Sequence, residues 1–474
     1  MNKQKLGLRN WVGIILIGLA GQLAWAIENN FINLWVYSQS FDTKWVTIMT
    51  MTSAVAATVT TLFMGALSDR LGKRKIFIAG GYMAWGVSVF LFGIMSNENM
   101  KSLVGAAMAA TMVGTMVTII DILMTFFGST ANDACYNAHI TDITNPSNRG
   151  KVESIVSVLP LFANITVVLI AGIIGCGAVL PDGKSTGDQI KDAQLLAGPW
   201  FTFFLVFGII TFLIGVAALF ILPKEKLLPS KEKSYWSNLI HGFKPSVIKE
   251  HKTLYIALLA FMAFNCAIDA FMPYYMIYFQ VDPAFGGVGL GNSMDFYICL
   301  GIILTLSSIV AIVVGLYLDK IGKLKLLLPA IGLTALGFLT IFFSTKTWSL
   351  AISGTIMMSG YLICTTILGA EVRDDTPKQE VGLFQGIRMA FVVLIPMIIG
   401  PLISQTTFKT YDSYVDAYGQ VGSTSTPNRY MFLIALGFII LSLIPVMWLL
   451  ISKKKEADKI SASINLENKE ESTK

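Results

Sequence analysis

Three acids lie deep inside long apolar runs of this sequence: Glu28, Asp121 and Asp269. An ionisable side chain within a membrane-spanning segment costs on the order of 2.5–3.5 kcal/mol. It is kept where it faces a bundle interior, a partner or a watery path. Such an acid can take up and release a proton as its surroundings change, so these three are the candidates for proton exchange. Glu28 stands in a dense polar patch with Gln22, Trp25, Asn29, Asn30 and Asn33. At about 100° per residue, Gln22, Trp25, Asn29 and Asn33 share a helical stripe about 80° wide, with Glu28 to its side. Amides beside a flat indole suit a polyhydroxylated ligand, although asparagines also serve as interhelical hydrogen-bond donors. A second polar face holds Asn265 and Asp269, with Met272, Met276 and Gln280 on the same side. Pro273 removes a main-chain donor there and predicts a bend or unwinding. Tyr274 and Tyr275 follow, suited either to an interfacial aromatic belt or to stacking on a ligand. The ligand-contact candidates are therefore Gln22, Trp25, Asn29, Asn33, Asn265, Tyr274 and Tyr275. Asp121 has no evident partner in the sequence.

Other chemistries find little support. The five cysteines, Cys135, Cys176, Cys266, Cys299 and Cys364, have neither metal-ligand nor redox spacing and read as small packing residues. Three scattered histidines suggest no metal site. The run Gly286-Gly287-Val288-Gly289-Leu290-Gly291 lacks the lysine and the preceding strand of a phosphate-binding loop, and reads as a turn between helices. No cofactor, no metal and no nucleic-acid partner is expected, and no nucleophile–base cluster suggests an enzyme.

These residues must be positioned by membrane helices. Of 474 residues, 54% are apolar and only 14% charged, against about a quarter charged in soluble proteins. Apolar runs of spanning length fall at roughly 11–37, 45–67, 75–95, 103–127, 152–177 and 199–222, and again at 254–280, 294–318, 325–343, 349–370, 383–404 and 429–452. Runs of this length predict helices, whose backbones satisfy their own hydrogen bonds in lipid. The fold class expected is an all-α membrane protein of twelve spans in two six-helix bundles. The first bundle covers residues 1–222, a lysine-rich cytoplasmic linker 223–252, the second bundle 253–452, and a charged tail 453–474, expected to be disordered. With the N-terminus inside, Lys44, Lys101, Lys184, Lys191, Lys346, Lys409 and Arg429 are the only 7 of 35 basic residues outside. The bias predicts both termini in the cytoplasm.

The halves also repeat. Gly65-Ala66-Leu67-Ser68-Asp69-Arg70-Leu71-Gly72-Lys73 follows the second run, and Gly315-Leu316-Tyr317-Leu318-Asp319-Lys320-Ile321-Gly322-Lys323 follows the eighth. Ala26-Ile27-Glu28 aligns with Ala267-Ile268-Asp269, so the acids of runs 1 and 7 occupy matching depths. Repeated halves with a midplane site are an architecture of transporters.

The doubled motif, which continues to Arg74, resembles the signature of the major facilitator superfamily, and the likeness spans about residues 10–452. Gln22-Leu23-Ala24-Trp25-Ala26-Ile27-Glu28, and Asn132-Asp133 through Thr141-Asp142-Ile143-Thr144 to Arg149-Gly150, are similar to the sugar:cation symporter branch. That branch includes the glycoside–pentoside–hexuronide and sucrose-type carriers. Helix 2 has none of the acids that form the sodium site of melibiose-type carriers, and Tyr136-Asn137-Ala138 lacks the arginine found nearby in sucrose-type carriers. The resemblance thus implies movement of a sugar or glycoside across the cell membrane, coupled to a proton rather than sodium, by rocking of the halves. The alternatives are an exporter or facilitator of amphipathic compounds and, more distantly, a sensor that does not transport. Gating is expected of the motif residues Gly65, Asp69, Arg70, Gly72, Arg74, Asp319 and Lys320. A second gating cluster is expected of Arg149, Glu371, Arg373 and Arg388.

Overall fold

A computed structural model describes residues 6–144, 152, 155–156, 158–176, 189–223, 244–281, 283, 286–290, 294–377, 381–415 and 421–471. Among them are eleven helices long and apolar enough to cross a membrane. In chain order, α1 (Leu8–Ser40), α2 (Thr43–Leu71), α3 (Arg74–Ile94) and α4 (Ala107–Ile143) precede a shorter apolar helix, α5 (Leu159–Ile174). Then come α6 (Gln189–Ile221), α7 (Lys252–Asp269, resuming over Tyr275–Gln280), α8 (Met294–Ile321), α9 (Lys323–Phe343) and α10 (Thr347–Asp374). The last two are α11 (Val381–Met389, continuing to Gln405) and α12 (Tyr430–Glu471). The molecule is an all-α membrane fold of two six-helix bundles.

Burial follows hydropathy and position. On α8, Leu306, Ile309, Ile312 and Val313 are exposed, and on α12 so are Ile440, Leu441 and Ile444. These helices turn apolar faces to lipid. By contrast, Ile17, Ala24, Ile27 and Phe31 of α1, and Ala257, Ala260, Phe264 and Ala267 of α7, are fully enclosed. Within the first bundle α3 and α6 approach until only glycine fits: a Cβ on Gly86 would lie 2.6 Å from the Gly208 carbonyl oxygen. The repeated motif ends α2 and α8 in matching turns, with Gly72 at φ +60° and Gly322 at φ +97°, backbone conformations that side chains disfavour.

Two local features differ from a simple helix count. The segment joining α11 to α12 contains an antiparallel hairpin of β1 (Lys409–Val415) and β2 (Val421–Thr426). In addition, among the described residues three helices widen into π turns: α1 at Ile27–Ile32, α4 at Ser129–Tyr136 and α11 at Ala390–Leu394. A π turn leaves main-chain carbonyls short of partners. Asparagine amides supply them. Asn30 donates to Ala26 O (2.8 Å), Asn33 to Asn29 O (3.1 Å), Asn137 to Asp133 O (3.2 Å) and Asn265 to Val392 O (2.8 Å).

Candidate functional site

Two of the π turns each hold an acid. The turn of α1 contains Glu28 and Asn29, and the turn of α4 contains Asp133. Glu28 is buried, and its Oε1 accepts hydrogen bonds from Ser53 Oγ of α2 (2.7 Å) and Thr125 Oγ1 of α4 (3.2 Å). Ser53 and Thr125 are themselves 2.8 Å apart. The other oxygen, Oε2, has no protein partner. Asp121 lies one turn before Thr125, completely enclosed, within electrostatic reach of Glu28 and beside Ser53. Neither of its carboxyl oxygens makes a hydrogen bond of normal geometry. So Asp121, which seemed isolated in the sequence, is the neighbour of Glu28.

Asp269 joins them at one remove. Glu28, Asp121 and Asp269 line a single small pocket between the halves, with Asn29, Asn33, Thr50, Ser53 and Met272 around them. The main chain of α7 leaves the helix at Asp269 and re-forms it at Tyr275, as the loss of the Pro273 donor predicts. Two larger spaces of about 380 Å³ each adjoin this pocket. One runs from Glu28 toward the side of the termini, past Thr125 and Asp133 to Asn137 and Arg388. The other is bounded by Gln22, Asn164, Asp269, Tyr275 and Tyr361. Trp25 and Asn29 border both. Asp133 accepts from Ser129 Oγ (3.1 Å) and Asn132 Nδ2 (2.9 Å).

The remaining ligand candidates divide by position. Tyr275 reaches the cavity, and its hydroxyl donates to Asn30 Oδ1 (2.8 Å). Asn265 spends its amide on Val392 O of α11. Tyr274 is enclosed, 2.6 Å from Thr47 Oγ1 of the opposite half and within 3.4 Å of Pro401 O. Sequence reasoning missed Thr47, Ser53, Thr125 and Asn164, since hydroxyls and amides are plentiful in these helices and only contact singles them out.

Away from the termini the halves are tied together. Besides the Thr47–Tyr274 and Asn30–Tyr275 pairs, Thr43 Oγ1 donates to Ser425 Oγ of β2 (2.9 Å), and Asp42 forms a main-chain bridge to Ser425. The Tyr297 hydroxyl of α8 donates to Cys176 O past the end of α5. On the termini side, several ionic contacts lie within one half. Arg74 pairs with Asp142 (2.5 Å) and donates to Ser68 Oγ (3.3 Å). Lys453 pairs with Glu371 (3.2 Å) and Asp375 (2.5 Å), and Lys323 with Asp374 (2.8 Å). Arg373 follows Glu371 near the end of α10, and Arg388 lines the cavity. Arg70 is exposed at the end of α2. Gly65 meets only an ordinary contact, its added Cβ lying 3.9 Å from Ala134. Arg149 lies outside the described residues, as do the side chains of Asp69, Asp319 and Lys320.

The family model of the Major Facilitator Superfamily matches residues 11–401 and again 300–466. The chain belongs to this superfamily. Among solved structures, two of the nucleoside transporter NupG, one of them a mutant, align with TM-scores of 0.65 and 0.64 at 11% identity. They cover 92% and 94% of this chain and 99% of their own. The xylose transporter XylE from E. coli, in a partially occluded inward open conformation, aligns with a TM-score of 0.61 at 14% identity over 92% of this chain and 96% of its own. Comparison with curated protein sequences returns no match. At these identities the likeness is one of fold. A major facilitator protein with a polar cavity between its halves is a multi-pass membrane transporter.

Proposed function

We propose that this major facilitator protein is a secondary active transporter that carries a sugar or glycoside into the cell together with a proton. The observation that carries the reading is the single pocket between the halves that unites Glu28, Asp121 and Asp269 with the unspent amide of Asn29. A buried acid without a cation beside it is costly in its ionised form, and a second acid nearby adds repulsion. Proton uptake relieves both costs. Substrate entering next to Asn29 changes the surroundings of Glu28, and this is how the two movements are linked. Gln22, Trp25, Asn29 and Asp269 contact the substrate, while Glu28 and Asp121 hold the proton. The Asn33 amide donates within α1, so its part is to shape the pocket.

The closed far side and the cavity leading toward the termini support alternating access with this conformation open inward. The basic residues gathered on the termini side support a cytoplasmic location for both ends. An impermeant thiol reagent applied to intact cells then labels Lys346→Cys and spares Lys323→Cys. The reverse pattern inverts the orientation. The reading as a sugar symporter is tested by uptake of a panel of labelled sugars and glycosides into proteoliposomes. An inward proton gradient is expected to drive accumulation of at least one of them, about fivefold or more over the level without a gradient. Efflux of amphipathic compounds, with no sugar moved under either condition, replaces it with an exporter.

A further inference from the structure

The cavity of about 380 Å³ beside the acid pocket has two unlike walls. On the first half, the side chains of Gln22 and Asn29 border the space, and no hydrogen bond among the described residues engages their amides. Asp269, from the break in α7, also borders it. Asn30, by contrast, is fully committed, bonded to Ala26 O, Asn164 Oδ1 and Tyr275. The free amides are thereby confined to one edge. The facing wall, from α7, α10 and α12, is built of Phe271, Met272, Met357, Met358, Tyr361 and Phe432. Tyr361 lies nearly parallel to Phe264 at 6.3 Å, and Phe271 packs on Phe432 at 5.9 Å. Methionine and aromatic side chains form an adaptable apolar surface.

Apart from the Tyr361 hydroxyl, these six side chains return no hydrogen bonds to a bare hydrophilic sugar, most of whose hydroxyls would lose water there without return. The cavity suits a molecule that is polar at one end and apolar at the other. The volume falls in the range of about 300–1,000 Å³ typical of small-molecule sites. We infer that the substrate is a glycoside with an aromatic or alkyl aglycone. Its saccharide faces Gln22, Asn29 and Asp269, and its aglycone lies on the Met358–Tyr361 wall. This inference rests on the sugar reading of the same cavity.

The test is binding to the purified full-length protein in detergent, by calorimetry, so it depends on neither a gradient nor turnover. Paired methyl and 4-nitrophenyl glycosides of glucose, galactose and xylose are the probes, in both anomers. At least one pair is expected to show the nitrophenyl member bound about tenfold or more tightly, and Met358→Gln to reduce that ratio about tenfold. Binding of both members of every active pair with equal affinity, or preference for the methyl member, overturns the inference while leaving the sugar reading intact. Should no glycoside of the panel bind, while apolar non-saccharides do, the sugar reading falls as well. An unaltered ratio in Met358→Gln, and also in Tyr361→Ser, removes the proposed wall from the site.

Discussion

Glu28→Gln and Asp121→Asn are each expected to abolish gradient-driven accumulation while substrate exchange without a gradient continues. Both replacements keep size and hydrogen-bonding capacity and remove the ability to ionise. Ser53 and Thr125 can still reach the amide that takes the place of the Glu28 carboxyl, so the packing of α1, α2 and α4 is retained. What is lost is the difference between a protonated and an ionised site, through which binding of one species alters that of the other. Couplings of this kind are worth about 1–3 kcal/mol, or about 5–150-fold. Accumulation should therefore fall to the ratio seen without a gradient, and counterflow in proteoliposomes should persist. Asp269→Asn, at the cavity edge, is expected instead to weaken substrate binding. Normal accumulation in both Glu28→Gln and Asp121→Asn would remove proton exchange from this pair. Selective loss of accumulation in Asp269→Asn would move it to α7.

The second large effect is expected at the far side. A disulfide between Thr43→Cys and Ser425→Cys should stop transport, with activity restored by a reductant. The two hydroxyls are 2.9 Å apart, and Asp42 already bridges Ser425 through the main chain, so the positions are close enough to join. The chain's own five cysteines are buried and form no disulfide, which favours oxidation of the introduced pair. If the far side must open between the corner of α1 and α2 and the hairpin of the second half, the covalent link holds one state. Transport should fall at least about tenfold, since a molecule that cannot leave one conformation cannot complete a cycle. Cross-linked protein transporting at the normal rate would show that the hairpin travels with the first half. The separation needed for access would then lie elsewhere.

The sequence by itself determined the spanning helices and the duplication of the halves. Hydropathy and helical period are properties of each segment alone, and lipid leaves a backbone few other choices. The break of α7 was legible for a similar reason, since Pro273 cannot donate whatever surrounds it. So were the turns at Gly72 and Gly322, where the motif repeats. The polar stripe of α1 was legible as a stripe, and Gln22, Trp25 and Asn29 do meet the cavity. Which acids would become neighbours was not. The repeat aligned Glu28 with Asp269, but the side chains around Glu28 are Ser53, Thr125 and Asp121, from helices far off in the chain. Their meeting depends on the rotation of each helix about its axis. The π turns of α1 and α4 shift that rotation by a fraction of a turn, which no hydropathy pattern records. The hairpin across the far side likewise arises from a polar connection whose partner, the corner at Asp42 and Thr43, belongs to the other half. Local sequence set the elements because their backbone bonds close within them. Tertiary structure decided the site because its contacts join residues that no local rule relates.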